Sequence, residues 1–146
     1  MSVSFMAPLA HEKAEAFWRK VAAGVAKGER ILLVAEDSTS RDVVGTAQII
    51  LDLPENQPHR ADVAKVLVRR SARRRGVAGA LMRAVDEAAR RAGRTLLVLD
   101  TVTGGAAERL YERLGWTRVG VIPHYALMPD GAPCGTTVFY RDLRCI

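Results

Sequence analysis

The chain has 146 residues, of which 49% are apolar and 26% are charged, so it is long enough to bury a core of its own. No apolar run reaches the roughly 18 residues that a membrane span requires, and the N-terminus lacks the pattern of a signal peptide. We therefore expect residues 1–146 to form a single cytoplasmic domain.

Two cysteines, Cys134 and Cys145, lie close to the C-terminus. Their number and spacing fit neither the framework of a disulfide-rich protein nor the paired pattern of a zinc site. We expect two ordinary thiols and no metal.

The net charge of +6 and the pI near 9.9 predict an anionic partner. Much of this charge comes from arginines crowded between residues 69 and 75. Nucleic acid is one candidate, but aromatic residues make up only 5% of the chain and none is interleaved with these arginines. Because bases would find no stacking surface there, a phosphorylated small molecule is favoured over nucleic acid.

The first half of the chain predicts a helix followed by three strands. Apolar residues recur at helical spacing over residues 9–26, and a glycine then stops the helix. Ile31–Ala35 and Val43–Leu53 read as a β-hairpin, and Ala61–Val68 as a third strand. Strict alternation along this third strand predicts that Asp62 shares a face with Val66 and Val68.

The second half predicts two helices and three further strands. An amphipathic helix runs from about Gly76 to Gly93, and a second covers residues 105–114 and turns Tyr111 inward. The strands are Thr95–Thr101 with Asp100 near its end, Trp116–Ile122, and Thr136–Asp142 after a turn within Pro123–Pro133. The pattern therefore predicts one mixed α/β fold.

The stretch Val66–Gly79 joins an apolar strand to an amphipathic helix through an arginine-rich turn. Backbone N–H groups at a helix N-terminus, the helix dipole and guanidinium groups together favour an anion. The turn lacks the Gly-Lys-Ser/Thr ending of a nucleotide P-loop and the glycine fingerprint of a dinucleotide fold. It contains instead Arg73-x-x-Gly76-x-Ala78.

This motif resembles the signature of the GNAT family of N-acetyltransferases, in which backbone amides hold the pyrophosphate of acetyl-CoA. Ala107-x-x-Leu110-Tyr111-x-x-x-Gly115-Trp116 resembles a second segment of that family. Four further stretches resemble its tabtoxin-resistance branch: Arg60–Lys65, Leu97–Thr101, Gly120–Pro123 and Thr137–Tyr140. The similarity covers most of the chain from Phe17 onward.

The resemblance implies a GNAT fold, which is a central, mostly antiparallel twisted sheet with flanking helices. Its two middle strands, here residues 61–68 and 95–101, would splay apart around acetyl-CoA. Family members usually have a strand and a helix before the helix predicted at 9–26, so we expect this first strand and helix to be missing. Family members often form homodimers, which is a further expectation.

The resemblance also implies which residues hold acetyl-CoA. Val66, Leu67 and Val68 would accompany the pantetheine, with the Val68 N–H on the thioester carbonyl. The pyrophosphate turn would comprise Arg73, Arg74, Arg75, Gly76, Val77, Ala78 and Gly79, and Ala107 and Tyr111 would complete the cofactor site. Arg69, Arg70 or Arg73 would reach the 3′-phosphate, unless these side chains are simply a solvated surface. Gly104 stands where the family commonly has an asparagine.

Acetyl transfer to an amine requires one group that accepts a proton and another that donates one. The resemblance makes Tyr111 the donor to the leaving thiolate. It makes Asp62 and Asp100 the carboxylates that bind and deprotonate the acceptor amine, with His59 and His124 as other candidate bases.

The sequence thus predicts an acetyl-CoA-dependent N-acetyltransferase acting on a small-molecule amine, such as an antibiotic or an amino-acid-like toxin. Two alternatives remain open: a basic domain that binds nucleic acid or an acidic protein, and a CoA-binding GNAT domain without catalysis.

Overall fold

A computed structural model describes residues 11–144, so Cys145 and any predicted structure in residues 1–10 lie outside it. None of the helices in this range is long and apolar enough to cross a membrane. The elements in chain order are α1 (His11–Ala26), β1 (Arg30–Glu36), β2 (Val43–Ile50), β3 (Arg60–Val68), α2 (Val77–Arg91), β4 (Leu96–Val102), α3 (Ala106–Arg113), β5 (Thr117–Leu127) and β6 (Pro133–Asp142).

The six strands form one sheet in the order β1-β2-β3-β4-β6-β5. Every neighbouring pair is antiparallel except β3 and β4, which are parallel and joined by the crossover through α2. The β3–β4 register contains only Arg60–Leu96, Ala61–Leu97 and Asp62–Val98. Beyond that point the two strands separate, which confirms the mixed α/β fold with a mostly antiparallel sheet and splayed middle strands.

A β-bulge interrupts β3 just where it leaves β4. Thr46 and Gln48 of β2 stand opposite Leu67 and Ala64 of β3, so β3 takes three steps where β2 takes two. Lys65 lies in this extra step with φ 52°, a left-handed conformation that non-glycine residues seldom adopt. One inserted residue reverses the inward and outward alternation of the strand beyond it.

The prediction that Asp62 shares a face with Val66 and Val68 is therefore wrong. Val63 is buried in the core, and Val66 and Val68 pack against the same core on the far side of the bulge. Asp62 projects from the opposite face. The strict period of two failed because the bulge depends on pairing with β2, which the local sequence does not encode.

The main core lies between α2 and the sheet. Leu81, Met82, Val85 and Ala89 recur at helical spacing along α2 and are all buried. Gly45 permits the close approach of this helix, because a Cβ there would lie only 3.0 Å from the Leu81 and Val77 side chains. The contact fixes the first turn of α2 beside β2 and β3.

Helix α1 packs against β1. A Cβ added at Gly24 would lie 3.0 Å from the Arg30 guanidinium group, and Arg30 in turn donates a 2.8 Å hydrogen bond to the buried Gln48 amide oxygen. Nearer the N-terminus of α1, the Phe17 ring centre lies 5.5 Å from the Lys65 ammonium group. Helix α1 therefore reaches the bulge of β3.

Strand β5 is longer than the sequence predicted. It continues past Ile122 and through Pro123 to Leu127, and β6 begins already at Pro133. Two extra residues of β5 lie between the pairs Ile122–Thr136 and Ala126–Cys134. Pro123 predicts the end of the strand, because proline has no N–H to donate to a partner strand. In the structure Pro123 lies in an irregular part of the β5–β6 pairing, where no ladder hydrogen bond requires that N–H.

We expect Phe139→Ala to lower the free energy of unfolding by about 3–5 kcal/mol, as large-to-small changes at fully buried aromatic residues do. Phe139 is 0% exposed and packs its ring against Tyr111. The measurement is urea-induced unfolding, with Tyr140→Ala as the control, because Tyr140 is 38% exposed on the next position of the same strand. A smaller loss for Phe139→Ala than for the control would contradict the assigned core.

Candidate active site

The separation of β3 and β4 opens a cleft of about 310 Å³. Its walls come from both diverging strands, from α3 and from the hairpin of β5 and β6. The lining residues are Val63, Ala64, Lys65, Val66, Leu67, Leu99, Asp100, Thr101, Val102, Tyr111, Tyr125, Ala126, Cys134, Gly135 and Thr136.

The backbone of β3 faces this cleft without a strand partner beyond Asp62. Arg69 donates its N–H to Val44 O of β2 over 2.7 Å. Because successive N–H groups of a strand point in opposite directions, the Val68 N–H points away from β2, toward the side that β4 has left. A hydrogen-bond donor is thus placed at the edge of the cleft.

The arginine-rich turn folds so that its amides converge. A short 3₁₀ turn covers Arg70–Ala72, and Arg74 and Gly76 then adopt left-handed conformations with φ 65° and 75° before α2 begins at Val77. Within the described chain, no side chain caps the N-terminus of α2 at Gly76. The first N–H groups of any helix have no intrahelical acceptor, and those of α2 have no side-chain cap either. Such a group of free amides favours the binding of an anion.

The arginines of this turn divide into two sets. Arg75 lies 3.1 Å from Asp37 and Arg69 lies 4.0 Å from Asp42, and both carboxylates belong to the turn between β1 and β2. Arg70, Arg73 and Arg74 form no ion pair with residues 11–144, and Arg73 Nε donates to the Val68 carbonyl oxygen over 3.4 Å. The unpaired arginines are thus the ones whose charge is available to a ligand.

Asp37 anchors the turn that holds Arg75. Its carboxylate accepts hydrogen bonds from the backbone N–H groups of Ser40 and Thr39, at 3.0 and 2.9 Å, besides the one from Arg75. These bonds, led by that from Ser40, lower the pKa of Asp37 from 3.8 to about 2. The carboxylate is therefore ionised wherever the protein is handled near neutral pH.

Tyr111 lies at the inner end of the cleft. Its ring centre is 5.9 Å from that of Trp116 and 5.7 Å from that of Phe139, and the residue is 5% exposed. Burial raises the pKa of Tyr111 to about 12, because the phenolate would be poorly solvated there. The phenol therefore keeps its proton near neutral pH.

Helix α3, which carries Tyr111, is fixed by a polar contact at its first turn. The fully buried Thr137 donates its hydroxyl hydrogen bond to Glu108 and lies 3.0 Å from the Thr103 hydroxyl oxygen. The hydrogen bond from Thr137 is the largest of the contributions that lower the pKa of Glu108. An ionised Glu108 also accepts from the backbone N–H of Gly104 and so ties α3 to the loop that follows β4.

Asp62 and Asp100 line a second cavity of about 310 Å³ that adjoins the cleft. Asp62 is ion-paired with Arg60, whose Nε donates to the Gln57 side chain over 2.6 Å. Asp100 lies 2.6 Å from the Thr136 hydroxyl oxygen and has no cationic partner in the described part of the chain. The fold therefore brings the two predicted carboxylates to one cavity with different partners.

Four other residues of interest lie around the site. His59 and His124, the alternative bases, are not among the lining residues of these two cavities, although His124 precedes Tyr125, which lines both. Gly104 has φ 83°, a conformation that disfavours a side chain. Ala107, in the first turn of α3, packs against the core beside Tyr111.

The sequence argument missed several cleft residues. Tyr125 and Thr136 line both cavities, and Cys134 lines the first. They belong to the hairpin of β5 and β6, where the sequence predicts a turn region over Pro123–Pro133, which contains Tyr125, and a strand that begins only at Thr136. One contact of the site could have been predicted from the local sequence. Arg60 and Asp62 are two residues apart on a strand, so their side chains lie on one face and can form an ion pair.

Comparison with known proteins identifies the class. The sequence model of the acetyltransferase (GNAT) domain matches residues 28–118, more than half of the chain. The chain therefore belongs to the GNAT family of acetyltransferases. It is an acetyl-CoA-dependent N-acetyltransferase, and acetyl-CoA is its cosubstrate.

Solved structures share this fold. A GCN5-related N-acetyltransferase from Kribbella flavida is 26% identical, with a TM-score of 0.76 over 96% of this chain and 81% of that one. The ribosomal-protein-alanine N-acetyltransferase from Brucella melitensis is 24% identical, with a TM-score of 0.77 over 88% of this chain and 78% of its own. The protein yncA from Salmonella typhimurium, solved with its cofactor acetyl-CoA, is 21% identical, with a TM-score of 0.75 over 92% and 75% of the two chains.

We expect Asp37→Asn to flatten the pH dependence of stability in acid. Because the pKa of Asp37 is lower in the folded chain, its contribution is fully present above pH 3.8 and is lost as the pH falls through about 2. Thermal unfolding at pH 5 and at pH 2 measures the difference, and the variant should lose less stability between them than the parent. Equal losses would contradict the assigned role of the carboxylate.

Proposed function

We propose that this enzyme transfers the acetyl group of acetyl-CoA directly to the primary amine of a small molecule, with both substrates bound together. The observation that carries the proposal is the contact between the two cavities. The cleft along β3 and the carboxylate-lined cavity share Asp100, Tyr125 and Thr136. An amine beside the carboxylates would thus reach a thioester in the cleft without a covalent enzyme intermediate.

The cofactor site in this proposal extends from the turn to the cleft. Acetyl-CoA supplies an acetyl group activated as a thioester. The uncapped amides of Val77, Ala78 and Gly79, together with Gly76 and the residues Arg73 to Arg75, would hold the pyrophosphate, and Arg70 or Arg74 would meet the 3′-phosphate. The pantetheine would lie along Val66 to Val68, with Ala107 and Tyr111 opposite.

The Val68 N–H would stabilise the negative charge that develops on the carbonyl oxygen. This donor already points away from β2, at the edge of the cleft, because Arg69 and not Val68 donates its N–H to β2. A donor that is in place before the reaction needs no reorganisation when the charge forms, which is why such groups contribute strongly to catalysis.

Tyr111 would hydrogen-bond to the leaving thiolate and return a proton to it. The hydroxyl keeps its proton at neutral pH because burial raises the pKa of Tyr111 to about 12. Within residues 11–144 the hydroxyl forms no hydrogen bond that a ligand would have to displace. Its proton is therefore available to the cleft.

The two carboxylates would divide the work on the acceptor. An amine with a pKa of about 10 is mostly protonated at neutral pH and must lose a proton before it can attack. Asp100, which has no cation of its own, would bind the ammonium group. Asp62, whose charge is compensated by Arg60, would accept the proton directly or through a water molecule.

The resemblance to the tabtoxin-resistance branch favours an antibiotic or an amino-acid-like toxin as the acceptor, and a cytoplasmic homodimer as the working form. A cavity of about 310 Å³ suits a small molecule. A release assay for the free CoA thiol, run with small primary amines, aminoglycosides, amino acids and basic peptides, tests the class of acceptor.

Acetylation of basic peptides alone would overturn the small-molecule acceptor. Binding of CoA without transfer to any amine would favour the CoA-binding domain without catalysis. Salt-dependent binding of nucleic acid that CoA does not displace would favour the nucleic-acid alternative.

We expect Tyr111→Phe to lower kcat by about 100-fold or more, as the loss of a general acid does. The KM for acetyl-CoA should change little, because phenylalanine preserves the ring packing against Trp116 and Phe139. Steady-state kinetics measure both constants, and thermal unfolding checks that the variant is folded. An unchanged kcat would show that the hydroxyl takes no part in the transfer.

We expect Gly79→Asp to weaken CoA binding about tenfold more than Gly79→Asn, because only the first places a negative charge beside the pyrophosphate site. The fold should accept both, since a Cβ at Gly79 meets only the Arg83 guanidinium, at 3.4 Å. The aspartate should even stabilise the free protein relative to asparagine, as a carboxylate at a helix N-terminus does. Calorimetric titration with CoA measures the affinities, and equal values for the two variants would place the pyrophosphate elsewhere.

A further inference from the structure

A single aromatic residue stands where the two cavities meet. Tyr125 lines both of them and is 57% exposed, although it belongs to a strand. It follows His124, whose φ of 53° is one of the few left-handed non-glycine conformations in the described chain. Two extra residues in β5 relative to β6 produce this irregularity.

A bulge of this kind redirects side chains that a regular strand would place elsewhere. Strained backbone persists only where the surrounding structure maintains it, and it concentrates at ligand sites. The distortion is located at the one part of β5 that reaches both cavities. The fold therefore presents the Tyr125 ring to the junction.

The second cavity is lined by both carboxylates and, among the described residues, by no cationic side chain. Arg60 forms an ion pair with Asp62, whereas Asp100 accepts a hydrogen bond from the Thr136 hydroxyl and forms no ion pair with the described residues. Lys65 lines the neighbouring cleft. An aromatic ring beside a carboxylate is a good environment for an ammonium group, which is attracted both to the carboxylate and to the face of the ring.

Most of the remaining walls of the second cavity are apolar. Besides the two carboxylates and the hydroxyl groups of Tyr125 and Thr136, they include Ile50, Val98, Ile122 and Val138. The Thr136 hydroxyl already donates to Asp100, so these walls offer few partners to a hydroxyl-rich sugar or to a second charge, and burial of either without a partner is costly. A carboxylate on the acceptor would in addition be repelled by Asp100.

We propose that the acceptor is a monoamine with a compact apolar body, whose ammonium group binds between Asp100 and the Tyr125 ring, and that Tyr125 determines this specificity. The inference rests on the proposed function and narrows its acceptor. In the transfer, the ammonium group first yields one proton to a carboxylate or water. The neutral nitrogen then bonds to the carbonyl carbon as the carbon–sulfur bond breaks, and the leaving sulfur takes a proton from the Tyr111 hydroxyl. The second proton of the nitrogen returns to Tyr111, so the products are the amide and the thiol of CoA.

A matched pair of amines tests the acceptor class. Phenethylamine and phenylalanine differ only in the α-carboxylate of the second. We expect kcat/KM to be at least about tenfold higher for phenethylamine, since a like charge beside Asp100 opposes binding. Spermidine, a flexible polycation without an apolar body, should also be the poorer substrate. Equal or better turnover of phenylalanine or spermidine overturns the proposal.

Variants at position 125 test the specificity role. Tyr125→Ala should raise the KM for phenethylamine about tenfold, and Tyr125→Phe, which retains the ring, should restore it. Because Tyr125 also lines the cofactor cleft, calorimetry measures the affinity for CoA in both variants, and that affinity should fall by a smaller factor than the factor by which the KM for phenethylamine rises. Tyr140→Ala is the matched control, because Tyr140 is a partly exposed tyrosine of β6 that is absent from the lining of both cavities formed by the described residues.

The outcomes separate this inference from the proposed function. Transfer to other small amines but not to phenethylamine overturns the apolar acceptor and leaves the proposed function standing. Transfer to no small amine, by a protein that binds CoA, overturns both. An unchanged KM in Tyr125→Ala overturns the role of the ring alone.

Discussion

The site depends on the point at which β3 and β4 stop pairing. Parallel strands in a sheet normally satisfy each other's backbone groups, and buried backbone groups without partners are costly. Here the ladder ends after Asp62 and Val98. Beyond that point, donors of β3 such as the Val68 N–H face the side that β4 has left, where a ligand can accept the hydrogen bonds that a strand does not.

Two irregular strands adapt the sheet to this cleft. The bulge at Lys65 reverses the inward and outward alternation of side chains along β3. Val66 and Val68 therefore pack against the core while the strand borders the cleft. The bulge at His124 has the complementary effect in β5 and brings Tyr125 to the mouth of the acceptor cavity. Both left-handed residues thus lie on strands that border the cleft, one on each side, which is where stored backbone strain is expected.

Charge is distributed along the cleft by pairing as much as by composition. The carboxylates of the turn between β1 and β2 form ion pairs with Arg69 and Arg75, which leaves Arg70, Arg73 and Arg74 without an ion pair within residues 11–144. At the other end, Arg60 neutralises Asp62 and leaves Asp100 as the carboxylate without a cation in the same part of the chain. The side chains without an ion pair are thus arginines at the proposed phosphate site and a carboxylate at the proposed amine site.

The sequence by itself determined the helices, most strands and the family, because helical periodicity, the glycines that end α2 and the motif Arg73-x-x-Gly76-x-Ala78 are local features. It also indicated Tyr111, Asp62 and Asp100. Only the tertiary structure decided the orientation of Asp62 relative to Val66, the extension of β5 through Pro123 and the place of Tyr125. Each of these depends on a bulge, and a bulge exists only relative to the partner strand, so no window of one strand's sequence contains it.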